Sequence, residues 1–381
     1  MLRCGNWRSI LSAALLPALA GCAFVDGLEL GTWRDGWGRA EQPVAEAPPS
    51  IPADAPRHPP LPTRHFDAVT PDREILGDVQ LLVGQYENTF VQIARDFNLG
   101  FDELELANPN VDPWIPGEGT PIVLPTMNVL PAVPREGIVL NLPTMRLFYF
   151  AAEADDGAAG PDARRVTSHP IGIGRQGWAT PTGEARITEK AREPTWYPPA
   201  SVRAEHAELG DPLPSIVPPG PDNPLGDFAM RLSMPGYLIH GTNKPPGVGM
   251  RVSHGCIRLY PEDIEALFER VPPGTPVNII DEPVLAGWHD GELYLEVHAP
   301  LAEDGRDLTE QAERVIGAAF QRADVEPVPI DAELVARIIE ERRGIPFPVI
   351  EPEHDIDGYL ASARLVENLV EPVIVETAAT D

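Results

Sequence analysis

The sequence predicts a mainly β domain over residues 136–282, a small βααβ domain over residues 75–126, and a strand-and-helix extension over residues 283–381. Three observations support this division. The chain has 381 residues, which is more than a single core usually requires. Apolar residues alternate over short runs in the middle of the chain and recur at helical spacing mainly towards its two ends. Hydrophobic residues make up 43% of the chain, which is enough to form several cores.

The charge of the chain excludes one class of partner. It contains 58 acidic and 29 basic residues, so its formal net charge is −29. Proteins that bind nucleic acids use Lys and Arg to neutralise phosphates. We therefore expect no nucleic-acid partner. The net charge bears on solubility and does not identify a substrate.

Residues 1–21 predict a secretion signal. A short basic start is followed by an apolar run, and the segment is too short to span a membrane. The run that ends it, Leu19-Ala20-Gly21-Cys22, resembles the lipobox of bacterial lipoproteins. That resemblance implies that Cys22 becomes lipidated and anchors the mature chain in the periplasm, at the outer membrane because Ala23 rather than Asp follows. The alternative is an ordinary signal that is cleaved nearby.

Residues 22–70 are predicted to form a tether. The segment Pro43–Pro62 is rich in Pro and Ala and has few regularly spaced apolar residues. In the polyproline II conformation, at about 3.1 Å per residue, about twenty residues extend roughly 60 Å. A leader without function is an equal alternative.

Residues 75–126 predict a small unit of two strands and two helices. The elements are a strand over 79–83, helices over 90–97 and 101–107, and a closing strand over 121–124. This βααβ order resembles a LysM module, a family that binds N-acetylglucosamine polymers, although Glu87-Asn88-Thr89-Phe90 replaces the Gly-Asp-Thr-Leu of many such modules. The resemblance implies glycan strands as a partner. A purely structural domain is the alternative.

The central domain is predicted from short strands and one helix. The predicted strands cover residues 138–142, 145–149, 236–240 and 276–280. A helix is predicted from Pro261, because Pro and two acidic residues fall in its first turn. Between residues 198 and 234 the density of Pro and Gly predicts a long loop, which is either a lid or an ordinary surface loop.

Beyond residue 282 the pattern predicts a strand over residues 293–297 and amphipathic helices over 312–320 and 331–339. A weaker third helix is predicted over residues 355–368. This extension contains no group of reactive residues. It is either a packing appendage or a surface for a partner.

One stretch of the central domain carries reactive side chains. Residues 236–260 contain His240, Ser253, His254 and Cys256. A cysteine nucleophile must be a thiolate, and imidazole is suited to take its proton near neutral pH. Cys256 with His240 or His254 is therefore a candidate catalytic pair. The start of the following helix and the nearby Arg258 would both favour the thiolate.

The cysteine count supports a reactive role for this thiol. If the lipobox is used, Cys4 is removed and Cys22 is blocked, so Cys256 stays unpaired in an oxidising compartment. Catalysis would explain such a thiol, whereas a lone cysteine is otherwise a small buried hydrophobe. Zinc binding is an alternative, but the stretch has no C-x-x-C or H-E-x-x-H pair. We therefore expect no metal.

A family signature is present in the same stretch. It consists of Ile239-His240-Gly241-Thr242-Asn243, then Gly247-Val248-Gly249, then Ser253-His254-Gly255-Cys256-Ile257-Arg258-Leu259. These runs resemble the signature of L,D-transpeptidases of the YkuD type. The likeness extends over about residues 75–300 and is closest to the Gram-negative branch that joins peptidoglycan to an outer-membrane lipoprotein or to itself. It implies a β-sandwich catalytic domain over residues 136–282.

The resemblance also implies a mechanism without a cofactor. Cys256 would attack the diaminopimelyl carbonyl of a peptidoglycan tetrapeptide stem and release D-alanine, with His240 as the favoured base. Ser253 and His254 would orient the site, and a backbone N–H at or near Cys256 would bind the oxyanion. Arg258, which stands where many members have Asn, would face a carboxylate. The other residues implied in substrate binding are Gly255, Gly241, Thr242, Asn243 and Tyr237. The acyl acceptor would be an amine of another stem or a lysine of an outer-membrane lipoprotein.

Three alternatives stay open. Water in place of the amine would make the protein an L,D-carboxypeptidase or a hydrolase that releases wall-bound lipoprotein. A non-catalytic wall-binding lipoprotein would need only the LysM-like module, and the intact Cys/His/Ser set argues against it. An unrelated cysteine protease lacks support, because no Asn or Asp partner and no papain-like signature surrounds Cys256.

Overall fold

The fold was obtained as a computed structural model in which residues 51–52, 55–70, 72–151, 164–301 and 305–371 are described. The predicted signal peptide, the predicted lipidation site Cys22 and the first part of the predicted tether lie outside these residues. Within them, no helix has both the length and the apolar character needed to cross a membrane.

The strands and helices follow the chain in alternating groups. The strands are β1 His65–Val69, β2 Ile75–Leu76, β3 Gln80–Val83, β4 Pro121–Leu124, β5 Asn128–Val129, β6 Gly137–Asn141, β7 Arg146–Phe150, β8 Arg164–Pro170, β9 Ile173–Gly174, β10 Gly183–Arg192, β11 Phe228–Leu232, β12 Leu238–His240, β13 Arg251–Ser253, β14 Ile257–Arg258, β15 Pro276–Ile280, β16 Val284–His289, β17 Glu292–Val297, β18 Phe347–Pro348 and β19 Arg364–Leu365. The helices are α1 Phe90–Asp96, α2 Phe101–Ala107, α3 Ala200–Glu208, α4 Pro261–Arg270, α5 Leu308–Ala323, α6 Ala332–Glu341 and α7 Ile356–Ala361.

Nine strands form one mixed sheet in the order β1-β8-β7-β6-β15-β10-β11-β12-β14. The ten-residue strand β10 joins two segments of this sheet. Its residues 183–186 pair with β15, and its residues 187–192 pair with β11, with an irregular register between Ile187 and Glu189. The prediction of a mainly β central domain is confirmed.

The core of the central domain contains residues from both segments of the sheet. Ile138 of β6, Ile187 of β10 and Met230 of β11 are all buried in one cluster. Helix α4 begins at Pro261, as predicted, and buries its apolar face in the same cluster through Ile264 and Leu267. The end of the sheet that carries β12 and β14 is therefore supported by packing from α4.

The small domain has the predicted βααβ order, formed by β3, α1, α2 and β4. Thr89 is the N-cap of α1: its hydroxyl accepts from the backbone N–H of Gln92, and the Gln92 side chain accepts from the backbone N–H of Thr89. Such a capping box satisfies two helix N–H groups that would otherwise lack partners. The departure from the usual module sequence before this helix is thus compatible with a well-capped helix.

The C-terminal extension differs from the predicted appendage. Strand β19 pairs in parallel with β3, with Arg364 opposite Gln80, and completes a three-stranded sheet with β4. Buried residues of the extension, such as Leu295 and Ile316, share one core with Val79 and Val123 of the small domain. The third helix, α7, ends at Ala361 rather than at residue 368 because the chain then enters β19. The extension therefore completes the small domain.

The predicted tether is shorter than residues 22–70. Residues 65–69 form β1, which pairs with β8 at the edge of the large sheet. His58 also forms a bridge with Val366 near the C-terminus. The Pro-rich composition of this segment did not reveal the pairing. Proline is compatible with it because an edge strand pairs on one side alone.

The Pro- and Gly-rich segment over residues 198–234 is not a structureless loop. It contains helix α3, in which Val202 is buried, and strand β11. The Asn223 side chain supports the intervening turn by donating to the carbonyl of Pro194 at 2.7 Å. Helix α3 was missed because most of its residues face solvent and so lack an apolar period.

Candidate active site

Parallel pairing of two short strands brings His240 and Cys256 to one face of the sheet. Strand β12 ends at His240, and β14 begins directly after Cys256. Ile239 lies opposite Ile257, and His240 lies opposite Arg258. Side chains alternate along a strand, so Cys256, Arg258 and His240 share one face although 16 positions separate the cysteine from the histidine.

His240 is buried and uncharged near neutral pH. The residue is 3% exposed, and its Nδ1 lies 2.6 Å from the carbonyl oxygen of Gly241. A carbonyl oxygen can only accept, so Nδ1 carries the proton and Nε2 of the neutral ring is unprotonated. Burial, together with the charge of Arg258, lowers the pKa of His240 to about 3, against weaker opposing effects of backbone groups at Gly241 and Leu225.

Cys256 carries a free, partly exposed thiol on this face. Its Sγ lies 3.7 Å from the carbonyl oxygen of Gly236. Burial raises the pKa of the thiol, while the backbone of Leu238 and the charge of Arg258 act in the opposite direction. The expectation that its surroundings favour the thiolate is therefore correct for Arg258 but wrong for the net effect. A base is needed to take the proton.

Arg258 is a partly buried cation beside both groups. Its backbone N–H donates to Gly172 O at 2.9 Å, and its carbonyl oxygen accepts from Gly172 N–H at 2.8 Å, so its position is set from the backbone. Burial lowers the pKa of its guanidinium. Among the residues that the structure describes, its buried Nε has no hydrogen-bond partner. An anionic substrate group would satisfy this donor.

The turn ahead of Cys256 is closed by hydroxyl groups. The buried Ser253 hydroxyl donates to the Cys256 carbonyl oxygen at 2.6 Å and accepts from the Gly255 N–H at 3.1 Å. Thr180 donates its hydroxyl proton to the Gly255 carbonyl oxygen at 2.9 Å. Because the N–H of Gly255 is already bonded, it is not available as the backbone donor near Cys256 that would bind the oxyanion. Gly255 has φ of +101°, and a Cβ there would lie 3.0 Å from the Tyr237 ring, so glycine is needed at this position.

His254 belongs to a second cluster at the rim. Its Nε2 lies 2.7 Å from a carboxylate oxygen of Glu205, which α3 supplies. The Arg175 guanidinium contacts the same carboxylate and lies 3.3 Å from His254 Nε2, and the Trp178 ring packs edge-on at 4.9 Å. Burial lowers the pKa of His254 in spite of Glu205. Since Glu205 already engages Nε2, this geometry favours His240 as the base for Cys256.

The remaining predicted residues support the loop after His240. Gly241 donates its N–H to Phe228 O at 3.1 Å, and the buried Thr242 hydroxyl accepts from the Lys244 N–H at 2.9 Å. Asn243 is exposed and donates to Pro221 O at 3.0 Å. These residues hold the loop and its neighbouring Pro-rich turn together.

Sequence reasoning missed four residues of the site: Arg175, Trp178, Thr180 and Glu205. The first three lie in or beside a segment with a recognisable Trp-Ala-Thr-Pro-Thr-Gly run, and that run was the available signal. Glu205 had no signal, because it is one of several acidic residues in a polar helix. In the described parts of the chain, no group of three or more His, Cys, Asp or Glu residues is arranged to hold a metal ion.

Comparison with known proteins agrees with this geometry. The profile of the YkuD family, an L,D-transpeptidase catalytic domain, matches residues 135–279. The probable L,D-transpeptidase YcfS of Escherichia coli is 41% identical over 262 residues, which are 68% of this chain and 79% of that protein. The probable L,D-transpeptidase YbiS of the same organism is 38% identical over 291 residues, which are 73% of this chain and 89% of that protein.

The crystal structure of an L,D-transpeptidase of Enterococcus faecium is 24% identical to this chain and covers 42% of this chain and 56% of the Enterococcus chain. Its TM-score is 0.27, so the family assignment does not depend on that superposition. The family assignment is supported by the sequence relatives, because their similarity extends over two thirds or more of this chain and of their own length. The chain therefore belongs to the L,D-transpeptidase family and is an enzyme with a YkuD-type catalytic domain.

Proposed function

We propose that this enzyme is a peptidoglycan L,D-transpeptidase in which Cys256 is the nucleophile and His240 is the general base. One observation carries the assignment of the pair. His240 shares a sheet face with Cys256, its pKa is lowered to about 3, and its Nδ1 proton is held by the Gly241 carbonyl oxygen. The ring is therefore neutral at pH 7, but both pKa shifts oppose proton transfer from the thiol, so in this proposal the negative charge that develops on Cys256 raises the pKa of His240 as the proton moves.

The proposed reaction has two transfer steps. In the first, Cys256 Sγ bonds to the diaminopimelyl carbonyl carbon of a tetrapeptide stem, and the C–N bond to the terminal D-alanine breaks. The thiol proton passes through His240 to the departing amine. In the second step, an acceptor amine attacks the thioester, loses a proton to His240 and displaces the thiolate. No oxidant, reductant or cofactor enters this balance.

Other residues have supporting roles in this proposal. Arg258 binds a carboxylate of the stem, which is consistent with its unpartnered buried Nε. Ser253 shapes the turn that presents Cys256, and the backbone N–H of Cys256 is offered to the oxyanion. His254, which Glu205 holds, orients the rim of the site. Tyr237 lies against Gly255 and borders the stem.

The acceptor in the proposal is an amine, either of another stem or of a lipoprotein lysine. We further propose that lipidated Cys22 anchors the chain at the outer membrane and that the LysM-like module contacts glycan strands. Hydrolysis of the thioester is the competing outcome. It would yield a carboxypeptidase or a lipoprotein-releasing enzyme with the same acyl-enzyme.

Intact-mass analysis of the full chain after incubation with purified disaccharide-tetrapeptide tests the proposal. We expect an acyl adduct on Cys256 and cross-linked or lipoprotein-bound muropeptides. Cys256→Ala should lose the adduct and all turnover, while His289→Gln, which changes a histidine of β16 outside the site, should keep both. Turnover by Cys256→Ala would refute the mechanism. An adduct that yields only tripeptide would establish the hydrolase instead.

A further inference from the structure

The small domain contacts the loop that follows His240. Helix α2 begins at Phe101 after the N-cap Gly100. The backbone N–H of Phe101 donates to Val248 O at 3.3 Å, and that of Asp102 donates to Gly249 O at 3.3 Å. The first N–H groups of a helix have no partner within the helix. Here the loop between His240 and β13 supplies their acceptors.

Two glycines make this contact possible. A Cβ on Gly249 would lie 2.1 Å from Gly100 Cα, and a Cβ on Gly100 would lie 2.7 Å from Gly249 Cα. Gly249 also has φ of +80°, which favours glycine by itself. The Gly247-Val248-Gly249 run of the signature is therefore one place where the small domain meets the catalytic domain.

The small domain also contacts the chain after Cys256. The buried Tyr260 hydroxyl, four positions after the cysteine, donates to Leu99 O at 3.1 Å. Glu103 forms an ion pair with the buried Arg146 of β7, and Arg95 pairs with Glu262 at the start of α4. Residues 99–102 thus touch the two segments that carry His240 and Cys256 into the site.

We propose that the small domain is a positioning element of the catalytic unit, in addition to any role in wall binding. Residues 99–102 hold the loop over residues 241–250, and through it His240 and Ser253, in the geometry that acylation requires. This inference rests on the proposed function of Cys256 and His240. It implies that turnover of a small soluble substrate depends on the small domain, even where sacculus binding is not needed.

The substitution Gly100→Ala tests this inference in the full chain. Gly100 has φ of −82°, which alanine adopts without backbone strain, so apart from the poorer N-cap that alanine makes, the change acts through the contact with Gly249. The new Cβ would start at 2.7 Å from Gly249 Cα, and ordinary contact begins at 3.4 Å, so the loop must move by about 0.7 Å. Displacements on the order of 1 Å lower enzymatic rates by about 100-fold. We expect kcat on soluble disaccharide-tetrapeptide to fall by about 10- to 100-fold, with KM little changed and sacculus binding unchanged.

Two further variants keep the test decisive. Gly317→Ala in α5 adds the same methyl group in open space and should keep the wild-type kcat. Tyr260→Phe removes the bond to Leu99 O without removing the ring, and it should lower kcat in the same direction. Hydrogen exchange of residues 248–250 should rise in both Gly100→Ala and Tyr260→Phe.

Each outcome bears on a separate claim. A wild-type chain without a Cys256 adduct would overturn the proposed function and this inference with it. A wild-type adduct together with unchanged kcat in a folded Gly100→Ala variant would overturn this inference alone. If Gly100→Ala does not fold, an unchanged kcat in Tyr260→Phe has the same consequence.

Discussion

The ion pair between Glu103 and Arg146 joins the small domain to the large sheet and allows a quantitative test. Arg146 Nη2 lies 2.8 and 2.9 Å from the two carboxylate oxygens of Glu103. The side chains are 2% and 9% exposed, respectively for Arg146 and Glu103. Arg146 also donates to the Ser168 hydroxyl at 3.3 Å. Burial removes both charges from water, so each depends on the other for its electrostatic stabilisation.

Glu103→Gln preserves the shape of the side chain and leaves Arg146 as an uncompensated buried cation. Breaking such a pair from one side costs about 3–5 kcal/mol. At about 2 °C per kcal/mol, the midpoint of thermal unfolding should fall by about 6–10 °C. The double substitution Glu103→Gln with Arg146→Met removes both charges and keeps an acceptor for the backbone N–H of Gly100, so it should recover most of the stability lost in Glu103→Gln.

Differential scanning calorimetry at neutral pH on the wild type, Glu103→Gln, Arg146→Met and the double variant gives the complete cycle. The expected pattern is two unstable single variants and a recovered double variant. Additive losses in the double variant would show that packing rather than charge compensation holds this contact. A loss below about 1 kcal/mol in Glu103→Gln would place the pair in the class of weak surface salt bridges and would refute the reasoning.

Two further predictions concern the histidines. Glu205→Gln removes the group that favours the charged form of His254, so the pKa of His254, already lowered by burial, should fall further. An NMR titration measures this pKa, and Glu208→Gln on the exposed side of α3 is the matched control. An unchanged His254 titration in Glu205→Gln would contradict the pairing. For His240, the folded-state pKa of about 3 lies below the ordinary value of 6.5. Its contribution to stability is therefore complete above pH 6.5 and is lost as the pH falls towards 3. Between pH 6.5 and 5 the loss should be about 2 kcal/mol, at about 1.4 kcal/mol per pH unit. His240→Gln lacks this contribution, so equal acid sensitivity of its unfolding midpoint and that of the wild type would count against the burial of a neutral ring.

Local patterns predicted the elements of the fold well. The strand before α1, both helices of the small domain, the hairpin of β6 and β7, and the helix from Pro261 all follow from apolar periodicity and capping residues. These signals are local, because a strand or helix is defined by contacts between near neighbours and by the face that it buries. Where residues pair across the molecule, as β1 does with β8 or β19 with β3, the local sequence contained no equivalent signal.

The candidate site shows the same division. The spacing of His240, Ser253 and Cys256 in one glycine-rich stretch was enough to propose a nucleophile and a base. The choice between the two histidines required the structure, because it depends on the pairing of β12 with β14 and on a carboxylate 49 positions away in α3. Neither of these two contacts produces a periodic pattern in the sequence.

By itself, the sequence determined the chemistry that the chain offers and the order of its elements, since residue types and local spacing are read directly from it. The tertiary structure alone decided which groups meet. It buried His240, engaged His254 with Glu205, and set Gly100 of the small domain against Gly249 of the catalytic loop. The physical reason is that burial and close backbone approach are produced by the packing of distant segments, and a pKa or a required glycine follows from that packing.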